Sequence, residues 1–147
     1  MKFPEWLNVY GDADYRGDCP KETLEQVTFF NRLRAEFPDS YGITAIHPRN
    51  EGKRTMQQAV REKAEGMVAG AADIIIPGCP ALVLELKRRD HTKSSFQKGQ
   101  LEYLEACHLS GSYVCVALGA DAAWEVVQLW DNLQTAILDY VNDIVLN

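Results

Sequence analysis

Apolar positions along the chain switch between helical and extended spacing, and each switch marks an element. From Pro20, with Glu22 in a first turn, Leu24, Val27, Phe30 and Phe37 recur at helical spacing beside Phe29 and Leu33, until Pro38 stops the run. Residues 43–47 suit a short strand, 49–54 a polar loop, and 55–65 a helical stretch poor in large apolar residues, punctuated by Gly66 and Gly70. Two runs rich in Ile, Leu and Val, 72–77 and 81–87, flank Pro77-Gly78-Cys79-Pro80 and read as a hairpin. Phe96, Leu101, Leu104 and Cys107 or His108 place a helix over 95–109, closed by Gly111, and 113–118 is a third buried strand. A last helix from Asp121 to about residue 146 carries Trp124, Val127, Trp130 or Leu129, Leu133, Ile137, Tyr140 and Ile144 on its apolar side. Residues 1–19 have turn chemistry (Gly11, Asp12, Asp14, Gly17, Asp18) and no period. The expectation is a loosely structured N-terminal arm over 1–19 and one α/β domain over 20–147, a mixed central sheet flanked by helices.

Composition narrows the class. With 147 residues, 46% of them hydrophobic, and 14 aromatics, the chain can build a core and is not a disordered acidic polymer. No apolar run approaches the roughly 20 residues that span a bilayer, and no basic start precedes an apolar block, so a soluble intracellular protein is expected. The four cysteines (Cys19, Cys79, Cys107, Cys115) lack CxxC spacing, and Cys107 and Cys115 lie in apolar stretches as small core residues. His47, His91 and His108 give no ligand spacing and read as ordinary surface or core residues. The net charge of −6 is unevenly spread: residues 47–98 hold ten Lys/Arg against six Asp/Glu, a local +4, and the remainder carries −10. A basic middle between acidic ends is compatible with an anion bound on one face.

Candidate chemistry concentrates in the hairpin. Centring its turn on Cys79 sets Asp73 opposite Glu85, with Cβ atoms roughly 4.5–5.5 Å apart, and Lys87 on the same face. Leu82, Leu84 and Leu86 then face the core with Ile74 and Ile76. Two opposed carboxylates repel, and a sheet centre is a costly place for either. A divalent cation with oxygen ligands, magnesium or manganese, removes that cost. The bland alternative is a partly exposed ion pair at the sheet's end.

These residues resemble a known family. Gly70-Ala71-Ala72-Asp73, Glu85-Leu86-Lys87 and Gln100 in the following helix look like the PD-(D/E)XK nuclease superfamily, and within it the small virus-type VRR-NUC domains. Glu22-Thr23-Leu24-Glu25-Gln26, Asn50-Glu51-Gly52 and Ser94-Ser95-Phe96-Gln97-Lys98-Gly99-Gln100 complete the ordered set, which covers about residues 20 to 120. Ala72 stands where the family often has proline. The resemblance implies a restriction-endonuclease-like core, with Asp73, Glu85 and the Leu86 carbonyl as metal ligands and Lys87 as the catalytic lysine. It further implies Glu22 in the metal shell, with Glu25 as runner-up, and Gln100 facing the site, with Gln97 as its alternative. Arg88, Arg89, Lys93 and Lys98, together with Arg49, Lys53 and Arg54, read as phosphate contacts. The implied activity is Mg2+-dependent hydrolysis of DNA phosphodiesters, with Mn2+ able to substitute, by a cytoplasmic homodimer of phage or bacterial setting that acts on branched DNA such as Holliday junctions. A catalytically weak DNA- or partner-binding module and a nuclease acting on RNA are the competing expectations.

Overall fold

The computed structural model describes residues 1–49 and 52–147. Elements follow the order β1 (Asn8–Tyr10), α1 (Glu22–Glu36), α2 (Tyr41–Thr44), α3 (Met56–Ala64), β2 (Ile74–Ile76), β3 (Leu82–Lys87), α4 (Gln100–Leu109), β4 (Tyr113–Leu118) and α5 (Ala120–Leu146). The strands form one mixed sheet in the order β1-β4-β3-β2, with β1 and β3 parallel to β4 and β2 antiparallel to β3. Burial of β3 along its whole length follows from helices covering both faces. On one face Ile74, Ile76, Leu82, Leu84 and Leu86 pack with Phe29, Leu33, Trp124, Val127 and Trp130 of α1 and α5. On the other, Val83, Val114, Val116 and Leu118 pack with Leu7 and with Leu104 of α4. Among the described residues no helix is long and apolar enough to cross a membrane.

Four local expectations are corrected. Residues 1–19 are not a loose arm throughout, because β1 adds a parallel edge strand to β4 and Leu7 is buried. Residues 43–47 do not form a strand. The 41–44 segment turns as a short helix, and only Ile46 pairs, through a two-way backbone bridge with Ile75. In α1 Phe29, Phe30 and Leu33 are buried as expected, joined by Glu25 at i, i+4 spacing to Phe29, while Leu24 and Val27 are exposed. The helix expected from residue 95 begins at Gln100, after Gly99 at a φ of 89°. Over 95–98 the chain stays irregular and turns the Ser95 carbonyl towards the sheet, where it accepts from Lys87.

Candidate metal centre

The hairpin has the register that a turn centred on Cys79 predicts: Ile74 pairs with Leu84, Ile75 with Val83 and Ile76 with Leu82. Asp73 lies one residue before β2 and is tied to β3 directly, its Oδ2 accepting the Leu86 N–H at 3.0 Å. Strand alternation turns Leu86 into the α1/α5 core and leaves Glu85 and Lys87 on the opposite face, where both are almost completely buried at 0% and 1% exposure. Lys87 Nζ donates to the Ser95 carbonyl (3.0 Å) and to Gln100 Oε1 (3.2 Å), and lies 2.9 Å from Glu85 Oε1. Phe96 closes the apolar side, its ring centroid 5.2 Å from Nζ. Gly70 explains the glycine at the head of this stretch. It has a φ of +80°, and a Cβ there would meet the Gly99 main chain at 2.3 Å, so the approach to Asp73 runs against the start of α4.

Electrostatics make this a strained trio without a further cation. Burial raises the Asp73 carboxyl above the usual carboxylate range, partly offset by the Leu86 N–H. Glu85 is pushed up to about 8, first by burial and then by the charge of Asp73, against the pull of Lys87. Despite the short approach of Lys87, neither Glu85 oxygen accepts a well-directed hydrogen bond from another group. Buried carboxylate oxygens are expected to have partners, and an oxygen-liganded divalent cation would supply one. The residues present fit such an ion through Asp73, Glu85 and main-chain carbonyl donors. Among the described residues no group of three or more His, Cys, Asp or Glu side chains is disposed to hold a metal by itself.

A solved structure described as a VRR_NUC domain protein superposes on this chain with a TM-score of 0.61 and 23% identity, covering 78% of this chain and 89% of the other. The chain has the VRR-NUC fold. No protein-family model matches the sequence, and no curated protein matches it.

On the VRR-NUC fold the other expected residues fall into three groups. The first stands at the site. Glu22 Oε1 accepts from Ser94 Oγ at 2.5 Å, and the Glu22 charge is felt by Asp73. Gln100 is buried, and its Oε1 accepts from both Lys87 Nζ and the Gln97 N–H, so it holds the lysine. Glu25, the alternative to Glu22, is occupied elsewhere: its Oε2 accepts the N–H of Ala120 at the start of α5. The second group pins the chain ahead of α1. Arg88 donates to the Cys19 and Pro20 carbonyls, Lys93 Nζ to the Gly17 carbonyl, and the Arg89 guanidinium lies 4.0 Å from the Tyr15 ring centroid. Of the third, Arg49 lines the cleft described below, Lys53 and Lys98 are exposed, and Arg54 pairs with Glu62 at 2.7 Å. Asn50 and Glu51 of the Asn-Glu-Gly loop lie outside the described residues.

One residue at the site is missed by sequence reasoning. His47 Nδ1 lies 2.7 Å from the Asp73 carbonyl oxygen, and its charge also bears on the Asp73 carboxyl. It lines an open cleft of about 760 Å3 walled by one face of α1 (Glu22, Gln26, Asn31, Arg34) and by Ala45, Arg49 and Gly52, with Asp73 also in its lining. Of the short strand expected over 43–47 only the Ile46 bridge to Ile75 forms, and that bridge sets His47 beside Asp73.

Proposed function

We propose that this chain is a Mg2+-dependent endodeoxyribonuclease that hydrolyses phosphodiester bonds and prefers branched DNA, four-way junctions foremost. The observation that carries this reading is the Asp73–Glu85–Lys87 trio: a half-buried Asp73 opposite a buried Glu85, one step beyond the Ile74–Leu84 pair, beside a buried lysine, with Asp73 lining a solvent-open cleft. Structural ion pairs seldom set two carboxylates against one ammonium in a sheet interior, whereas a catalytic cation site requires an excess of negative ligands. Asp73, Glu85 and the Leu86 carbonyl would hold the ion, with Glu22 beside Asp73. Such an ion, when bound, stabilises the charge that builds on a phosphate under attack and activates water for the attack.

The protein's own groups supply the rest. Ser95 and Gln100 hold two of the Lys87 N–H groups, so that the third, which faces Glu85, is the one available to a phosphate oxygen or the attacking water when a cation engages Glu85. Arg49 at the cleft wall and the exposed Lys53 and Lys98 suit backbone phosphates, contacts that fix position but read no sequence. Recognition by shape follows, and a four-way junction offers shape. One cation centre cuts one strand, so paired cuts in a symmetric junction call for a two-fold homodimer.

Fluorescently labelled four-way junction, linear duplex and single-stranded RNA of equal length, incubated with the purified chain and Mg2+ or EDTA, test this reading. The expected result is junction cleavage ahead of duplex and RNA, abolished by EDTA. Equal cutting of junction and duplex removes the branched preference, preferred cutting of RNA reassigns the substrate, and no cutting of any substrate overturns the nuclease reading.

A further inference from the structure

His47 stands outside the trio yet is joined to it. A carbonyl oxygen can only accept, so the 2.7 Å contact to Asp73 fixes His47 Nδ1 as a donor. Next to it, Ile46 and Ile75 exchange both backbone hydrogen bonds, at 2.9 and 3.0 Å. Residues 46 and 47 therefore form a two-point clamp along the outer edge of β2: one point on the strand, the other on the residue that presents the Asp73 carboxylate. Asp73 needs such a clamp, because it precedes the regular ladder and its side chain is drawn inward to the Leu86 N–H. The same short segment continues into Arg49 at the cleft wall.

We propose that His47 is a positioning residue for the cation site, its Nδ1–H holding the Asp73 main chain so that the carboxylate faces Glu85, and that the 46–49 segment thereby links phosphate contact at Arg49 to the metal ligand. This rests on the cation reading above and adds a residue to it. His47 is exposed and contributes little to the core, so its loss is felt in ligand geometry more than in folding. Groups behind a metal ligand commonly alter affinity or activity 10–100-fold when removed.

The test is Mn2+ binding without DNA, by calorimetry, on the parent, H47A, H47N, H47Q and D73N, with thermal melting of each. Asparagine places an amide N–H close to the position of Nδ1, whereas glutamine places it near Nε2. The expected result is Mn2+ affinity about 10–100-fold weaker in H47A and H47Q, with H47N within about threefold of the parent and melting temperatures close to the parent's. H47A binding like the parent, or H47N as weak as H47A, overturns the inference while the cation site stands. A parent that binds Mn2+ no better than D73N overturns the cation reading and this inference with it. Should H47A melt well below the parent, retained affinity in H47N at parental melting temperature still supports the Nδ1 role, and weak binding by such an H47N overturns it.

Discussion

Glu85 is the residue on which the chemistry turns. Its carboxyl is raised to about 8 by burial and by Asp73, well above the unfolded-state value near 4.3. Between those values the unfolded chain binds fewer protons than the folded one, so the stability this group contributes is fully present below about pH 4 and is lost as pH rises towards 8. Without divalent cation, denaturant unfolding should reveal stability falling across pH 5–8, by at most about 1.4 kcal/mol per pH unit, and E85Q should flatten that slope and exceed the parent at pH 8. A parent with stability rising over this interval contradicts the assignment. Lys87 gives a complementary expectation. K87A should lower kcat about 100-fold or more and leave Mg2+ affinity nearly unchanged, because an ammonium has no lone pair to offer a metal. Equal losses in both, read from a Mg2+ titration of initial rates, would contradict its role. Much of this trio is legible in the sequence: three charges interrupt apolar runs, and a turn centred on Cys79 gives the observed register. His47 is not legible, since its partner lies 26 residues away and the pairing depends on a single bridge.

At the scale of elements, α1 joins the proposed cation site to the long C-terminal helix. Glu22 stands at the site, and the stripe Glu25, Phe29, Leu33 points inward, with Glu25 accepting the first free N–H of α5. A carboxylate at a helix N-terminus satisfies an orphan donor and complements the helix dipole. E25A should therefore cost about 1–2 kcal/mol in urea unfolding while leaving metal affinity intact, the opposite of what a metal ligand would give. Apolar periodicity in the sequence finds Phe29, Phe30 and Leu33 but adds the exposed Leu24 and Val27 and misses Glu25, because it gives no weight to a buried acidic residue that caps a distant element. The same limit hides β1: three residues, one exposed and two half-buried, carry no alternation, and their pairing with β4 is set by a contact more than 100 residues away. The early start expected for α4 fails for a different reason, since the Ser95 carbonyl is taken by Lys87 and Gly99, at a φ of 89° against Gly70, sets the helix start. Gly70→Ala should be strongly destabilising by thermal melting, as it adds both a positive φ for an L-residue and a backbone clash at 2.3 Å.

The whole molecule combines a net charge of −6 with a basic middle. If that middle meets DNA, affinity measured in Ca2+ should fall steeply with salt, because phosphate contacts release counterions, and a flat dependence would exclude it as the DNA face. Arg88 and Lys93 spend donors on the Gly17, Cys19 and Pro20 carbonyls, so substituting them should loosen the N-terminal residues as well as weaken binding. The far half of α5 leaves Leu138, Tyr140, Val141, Ile144 and Val145 exposed, a run that suits the second copy proposed above, and light scattering at micromolar concentration should find a dimer. The proposed nuclease chemistry rests on one physical claim, that Asp73 and Glu85 face each other to share a cation. The most direct measurement is anomalous diffraction from a crystal soaked in Mn2+. The account predicts a peak between the Asp73 and Glu85 carboxylates, within coordination distance of both; an anomalous map with no peak there, Glu85 still against Lys87, would contradict it.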